Sequence, residues 1–390
     1  MCKLTETVLA AVRTAPETTE MREFARPEID ADSALLKVEV AGICGTDAKL
    51  YFNPPTTRAT SGPVIMGHEN VGTIVEAGAN FRLRHGVTEG DRVFVEHYVA
   101  CYNCEWCRIG EYRHCEATDW RTNPDARRFG YTSADFPGHL WGGFSEAMFL
   151  PWNTVLHRVP ATMSAELAGM VMPLSNGIEW ALLTAGIGYD DTVLIQGPGQ
   201  QGLAQVVAAK QAGASKIIVS GTTRDRERLD LALELGADAV VDVLTEDPRE
   251  KIMDLTRGRG LDYVLDCTSR AGTAPMLLGI DILKRREGVM VVQGELAAFP
   301  DFPLKLVTEK SITIKSARGH SYRACELAVA QLASGRFPLY KLATHRYGID
   351  QVDHAIRVLA GQTDEDAIHI SMMPGMIGVP GGRTPAEASL

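Results

Sequence analysis

The stretch from Thr192 to Lys315 constrains the fold more than any other part of this 390-residue chain. Thr192–Gln196, Lys216–Ser220, Ala239–Asp242, Leu261–Asp266, Gly288–Gln293 and Ile312–Lys315 are short runs, most of them rich in apolar residues. Between the first three lie Gln200–Ala212 and Asp225–Leu235, both with helical spacing, the second closed by Gly236. Strands that are apolar on both faces must be covered on both, and alternation with helices supplies that cover as a doubly wound parallel sheet. At the first strand–helix junction stands Gly197-Pro-Gly199-Gln200-Gln201-Gly202, a G-x-G-x-x-G. Its glycines allow a tight turn and let a pyrophosphate approach the free amides of a helix N-terminus. Alone, such a motif is equally a bare glycine turn. The strand–turn–helix setting favours the dinucleotide reading.

The N-terminal part has a different rhythm. Ala34–Val40, Val71–Glu76 and Asp91–Glu96 alternate apolar and polar residues between glycine turns, so this portion reads as antiparallel and β-rich. Helical patterns at Ser321–Ser334 and Gln351–Gly361 are assigned back to it. The expected division is therefore a first domain over 1–172, a nucleotide-binding domain over 173–317, and a return to the first domain over 318–390. The glycine- and proline-rich C-terminus, Gly378 to Leu390, reads as a poorly ordered tail or an arm lying on a neighbour.

Four of the eight cysteines fall in 15 residues: Cys101, Cys104, Cys107 and Cys115, spaced C-x2-C-x2-C-x7-C. Four thiolates satisfy a closed tetrahedral zinc site, which stabilises a loop that has little core of its own. Iron–sulfur clusters also take four cysteines, but at other spacings. His114 beside the last cysteine reads as a bystander. Upstream, Gly42-Ile-Cys44-Gly-Thr46-Asp47 and Gly67-His68-Glu69 place a thiolate, an imidazole and a carboxylate in glycine-bordered turns. Cys and His with one further ligand and an open position is the plan of a catalytic zinc, which acts as a Lewis acid on a substrate oxygen. Cys2, Cys267 and Cys325 read as plain thiols.

Lys and Arg number 39 against 49 Asp and Glu, a formal charge of −10, which argues against nucleic-acid and anionic-membrane partners. No run approaches the roughly 18–20 apolar residues of a membrane span, and the first residues lack the apolar core of a signal peptide. A cytoplasmic location is expected, where thiols stay reduced and clustered cysteines bind metal.

Together these motifs, with Gly142-Gly-Phe-Ser-Glu146 and Gly236-Ala-Asp238, resemble the zinc-dependent medium-chain alcohol dehydrogenase family, which includes sorbitol and threonine dehydrogenases. The resemblance runs over nearly the whole chain. It implies an α/β protein with a GroES-like catalytic domain, a Rossmann domain for NAD or NADP, and two zinc ions per chain. The active site would then lie in a cleft between the domains, and the protein would be a homodimer or homotetramer acting on a small alcohol or carbonyl compound. Cys44 and His68 match the family's catalytic-zinc ligands, and Thr46 the hydroxyl that passes the substrate proton toward the ribose and solvent. Glu69 matches a carboxylate that is a direct ligand in some members and not in others. Gly197, Gly199, Gln200, Gln201 and Gly202 match the cofactor turn.

Two positions depart from the family's pattern. Met172 stands where sorbitol-type members carry a glutamate ligand, and a thioether is a poor zinc ligand. Either Cys44, His68 and Glu69 hold the metal with water completing the shell, or the catalytic zinc is weakened or lost. At the end of the second strand, Gly221 replaces the acid that binds the ribose of NAD. Arg224 nearby either receives the 2′-phosphate of NADP or is a solvated cap of the next helix. Two rival functions stand beside the dehydrogenase: a metal-independent double-bond reductase of the same superfamily, and a non-catalytic sensor of zinc and nucleotide. The aromatic residues Trp120, Phe129, Tyr131, Phe136 and Trp141 either shape the pocket or pack their loop onto its own domain.

Overall fold

The structure is a computed structural model that describes residues 6–54, 61–119, 123, 125–293, 296 and 298–384; Cys2 and Trp120 lie outside the described residues. The chain separates into two units, one of Met1–Met172, Val329–Ser334 and Leu339–Leu390, the other of Pro173–Ala328 and Gly335–Pro338.

The second unit is built on a six-stranded parallel sheet. In spatial order its strands are Ala239–Asp242, Lys216–Gly221, Thr192–Gln196, Tyr263–Asp266, Val289–Val292 and Thr313–Ser316. This is the doubly wound order in which the third, second and first strands are followed by the fourth, fifth and sixth, and the crevice for a ligand falls where the order reverses. The parallel register aligns Ile218, Leu194, Val264 and Met290 in one row across four strands. All four are fully buried, which is why these strands read as apolar runs rather than as alternation. Gln200–Ala212 is a helix with the expected bounds. The expected helix over 225–235 is Arg226–Glu234, entered through a single 3-10 turn at Thr223–Asp225.

This unit continues to Ala328, beyond residue 317, so the first half of the helix Tyr322–Ala333 belongs to it. The reason is a buried polar anchor: the Glu179 carboxylate accepts the backbone N–H of Ser321 (3.1 Å) and its hydroxyl (2.6 Å). Helical periodicity marks the apolar face of such a helix but carries no information about a carboxylate 142 residues away.

The first unit carries an eight-stranded sheet, antiparallel in most of its pairs, and a three-stranded sheet. The strand Ala34–Gly42 lies at the centre of the larger sheet, with Ile370–Met372 on one side and Glu69–Ala77 on the other; Arg92–Val99 and Thr154–Arg158 follow outward. Leu36, Val38, Ile74, Val93 and Val95 form one core with Phe129 and Trp141. Val8, Val12, Ile65, Phe144, Ile356 and Met372 belong to another. Within the C-terminal segment, expected as a loose tail or as an arm on a neighbour, Gly382–Arg383 adds an edge strand antiparallel to His345–Tyr347. Gly381 makes that approach possible: a Cβ there would lie 2.2 Å from the Tyr347 ring. Residues 385–390 lie outside the described residues. No helix among the described residues is long and apolar enough to cross a membrane.

Leu194→Ala is expected to lower the stability of the second unit by about 2–5 kcal/mol, since it empties a site inside the packed row. Urea unfolding of the purified variant checks this.

Candidate active site

The strand Ala34–Gly42 ends one turn before the helix Gly45–Phe52, and Cys44 caps that helix. Asp47 in its first turn is fully buried. One carboxylate oxygen accepts the backbone N–H of Cys44 (2.9 Å); the other lies 3.3 Å from the N–H of Gly67 and 3.2 Å from Nδ1 of His68. A single carboxylate thus joins the two turns that carry the thiolate and the imidazole. With Nδ1 facing Asp47, Nε2 of His68 is the nitrogen left for a metal, the arrangement in which a carboxylate orients a ligating histidine. Glu69 follows at once and opens the strand Glu69–Ala77, paired with Gly42. Gly42 cannot be larger, because a Cβ would stand 2.3 Å from the Glu69 carboxylate.

The Cys44 sulfur, a ring nitrogen of His68 and a carboxylate oxygen of Glu69 lie within 4.8 Å of one another. Tetrahedral zinc with bonds of about 2.0–2.3 Å sets its ligand atoms roughly 3.3–3.8 Å apart, so the trio can close on one ion by side-chain shifts of up to about 1 Å. Thiolate, imidazole and carboxylate are also the donor types that zinc takes. The residues present fit a catalytic zinc. The Thr46 hydroxyl lies 3.6 Å from the Cys44 sulfur. Burial opposes a charged His68, but the Asp47 carboxylate outweighs it and holds its pKa well above the usual value in the metal-free chain. Met172 is buried and offers only a thioether. Glu166, a nearby carboxylate in sequence, is engaged by Arg346 at 3.0 Å.

Asp47 and Tyr131 were not singled out from the sequence as members of this site. Asp47 is visible there as part of the Cys44–Asp47 turn, but nothing local assigns it to His68. The Tyr131 hydroxyl sits 3.4 Å from both ring nitrogens of His68, and burial raises its pKa far beyond the usual phenol range, so it is a neutral phenol. Two left-handed glycines seat it there. Gly130 has φ +81° and Gly67 φ +87°, and a Cβ on Gly130 would lie 2.8 Å from the Gly67 carbonyl and 2.9 Å from His68 Cβ. The other aromatics divide differently: Phe129 and Trp141 stack at 5.8 Å inside the core of their own unit.

The four cysteines of the loop also bring their sulfurs within 4.8 Å of one another. The backbone N–H groups of Cys101, Cys104 and Cys107 point at the sulfurs of Cys115, Cys101 and Cys104, each at 3.4 Å. Such bonds favour thiolates. Burial works against ionisation of Cys101, but the N–H groups of Asn103 and Cys104 outweigh it and bring its pKa to about 7, whereas burial pushes the Cys107 and Cys115 thiols up in the metal-free chain. His114 packs its ring at a tilt of 57° against Trp106, centroids 5.2 Å apart, outside this set.

In the second unit, Gly197 has φ +94° and Gly202 packs so closely that a Cβ would lie 2.0 Å from the Gly197 carbonyl. Gly199 caps the helix Gln200–Ala212 without a side-chain hydrogen bond, and the space where its Cβ would point is open to 4 Å. Gln200 and Gln201, half-buried, form the first helical turn. The turn therefore presents backbone amides and a helix N-terminus with room for a phosphate. Gly221 ends the neighbouring strand and Arg224 is exposed in the turn after it.

Cys104→Ser is expected to remove one metal ion per chain and more than about 3 kcal/mol of folding free energy, because the loop has only a small core beneath it. Metal analysis paired with thermal unfolding reads both. Gly130→Ala is expected to cost about 1–3 kcal/mol through the left-handed backbone and to lower kcat by displacing Tyr131 from His68. Steady-state kinetics beside a melting curve separates the two effects.

Residues 30–161 match the alcohol dehydrogenase GroES-like domain family, and residues 202–334 the zinc-binding dehydrogenase family. The chain is 35% identical over 362 residues to the Mycobacterium tuberculosis protein called "Probable alcohol dehydrogenase adh", covering 92% of this chain and 95% of that one. It is 29% identical to the sorbitol dehydrogenase of Halalkalibacterium halodurans, over 91% of this chain and 95% of the other. A Sinorhizobium meliloti structure with NADP bound superposes with a TM-score of 0.78 at 25% identity, covering 95% of this chain and all of that one (100%). With the matched domain families spanning both units and these relatives running nearly end to end, the chain belongs to the zinc-dependent medium-chain alcohol dehydrogenase family.

Proposed function

We propose that this chain interconverts a secondary alcohol or polyol and its carbonyl compound, with Cys44, His68 and Glu69 holding a catalytic zinc and the Gly197–Gly202 turn holding a nicotinamide dinucleotide. The observation that carries this reading is the trio of a half-buried Cys44 with buried His68 and Glu69, whose donor atoms lie within 4.8 Å on a unit that also holds the four-cysteine cluster. Zinc supplies a Lewis acid that favours loss of the alcohol proton, and the nicotinamide supplies the hydride acceptor.

The protein's own part is positioning and proton handling. Asp47 fixes the imidazole of His68 and the backbone of Cys44, so that both ligand side chains keep one orientation. Thr46 takes the substrate proton and passes it on, a role its match to the family's hydroxyl and its position 3.6 Å from the Cys44 sulfur support. Gly199 and the first turn of Gln200–Ala212 hold the pyrophosphate through backbone amides. Cys101, Cys104, Cys107 and Cys115 hold a second, structural zinc. The same reading takes the protein to be a cytoplasmic homodimer or homotetramer. A reducing compartment, which keeps such a cysteine loop available to metal, supports the location.

Met172 favours one competing reading, a reductase that has lost its catalytic metal, and metal analysis decides between them. About two zinc ions per chain, falling to one in Cys44→Ser, are expected. A single zinc that disappears only with the cysteine loop would overturn the catalytic-zinc assignment. A panel of polyols, secondary alcohols and aromatic alcohols, run with both cofactors, is expected to show turnover that Cys44→Ser or His68→Ala lowers by more than about a thousandfold. Unchanged turnover in Cys44→Ser would sink the mechanism.

A further inference from the structure

We propose that Tyr131 is a further catalytic residue, its hydroxyl donating a hydrogen bond to the substrate oxygen in the open position beside His68; this rests on the catalytic-zinc reading above. The hydroxyl lies 3.4 Å from Nδ1 and 3.4 Å from Nε2 of His68, with the two rings tilted by 40° and their centroids 5.1 Å apart. A phenol has one proton to donate. In the metal-free chain a ring nitrogen of His68 can meet it. Once Nε2 is committed to the ion and Nδ1 turns its proton to Asp47, neither nitrogen has a lone pair left for the phenol. The oxygen that fills the open position then stands next to Nε2, and it is an acceptor.

The loop around Tyr131 fixes the phenol in this place. Phe129 is fully buried in the core, and its N–H donates to the His97 carbonyl at 3.0 Å. The Arg128 guanidinium donates to the Thr118 carbonyl at 2.7 Å and lies over the Tyr98 ring. The Tyr131 N–H closes a turn on the Arg128 carbonyl at 3.3 Å. With the left-handed Gly130 between these anchors, Tyr131 is buried and has little freedom to turn away. A donor held in advance and away from water stabilises negative charge well, because nothing has to reorient as the charge forms.

Thr46 serves the Cys44 side of the trio, 3.6 Å from the sulfur. The two hydroxyls have different tasks. Thr46 takes the proton that leaves the alcohol. Tyr131, a neutral phenol, keeps its own proton throughout and donates to the oxygen as that oxygen loses its proton. In the reverse direction it donates to the carbonyl oxygen as charge builds there.

The test compares the full-length wild-type protein with Tyr131→Phe, which removes one oxygen and keeps the ring. Both are loaded with cobalt(II), whose visible absorption changes with whatever fills the open position, and both carry the cofactor that supports turnover. Trifluoroethanol presents an oxygen that is negatively charged when bound. Imidazole fills the position through nitrogen and accepts nothing from a phenol. Tyr131→Phe is expected to weaken trifluoroethanol about 10- to 100-fold, the worth of a hydrogen bond to a charged oxygen, and to leave imidazole within about twofold. In the zinc protein kcat is expected to fall by a similar factor, with about two metal ions per chain and the melting temperature retained. Equal losses for the two probes make Tyr131 a positioning residue for His68 and overturn the proposal, as does unchanged binding of trifluoroethanol. A wild-type protein that takes up a single metal ion per chain and whose spectrum answers neither probe overturns the catalytic-zinc reading itself.

Discussion

The candidate metal centre depends on one buried carboxylate. Asp47 touches the backbone of Cys44 with one oxygen and the Gly67–His68 turn with the other. A buried charge is costly unless fully hydrogen-bonded, and here its oxygens are satisfied by the groups whose positions matter. Without that bridge, the thiolate and the imidazole would sit on two turns with independent freedom. With it, the pairing of Gly42 with Glu69 brings the third donor into the same space.

The two candidate metal clusters are built on opposite principles. The cysteine loop is local: its N–H···S bonds run between residues at most 14 apart, so its shape follows from spacing. The trio of Cys44, His68 and Glu69 is non-local. It needs strand pairing across the sheet, a glycine at 42 that leaves room for Glu69, and an approach of residue 130 to the Gly67 carbonyl that only glycine permits. Small residues at these points are therefore part of the site, although they carry no chemistry.

Much of the nucleotide-binding unit was legible because its signals are local. An apolar strand, a glycine turn and a helix are contiguous in sequence, and Gln200–Ala212 has the bounds its spacing predicts. Departures occur where a distant partner intervenes. Glu179 draws the helix Tyr322–Ala333 partly into the second unit. Gly382–Arg383, in a segment whose composition reads as a loose tail or an arm on a neighbour, adds a strand next to the point where Gly381 passes close to the Tyr347 ring. The loop aromatics, for which sequence leaves both pocket and core open, divide between the two: Tyr131 lies against His68, whereas Phe129 is plain core.

The sequence by itself determined the residue types and their order: four clustered cysteines, a Cys–Thr–Asp turn, a His–Glu pair, and a glycine turn between a strand and a helix. Those features depend on neighbours within one or two turns, where spacing fixes geometry. Only the tertiary structure decided that Asp47 is the link between thiolate and imidazole, that Tyr131 joins them, and that Gly221 leaves no room for an acid beside Pro198. Each of these depends on a contact between segments separated by about 20 residues or more. Such distances are set by sheet register and close packing, which no local pattern encodes.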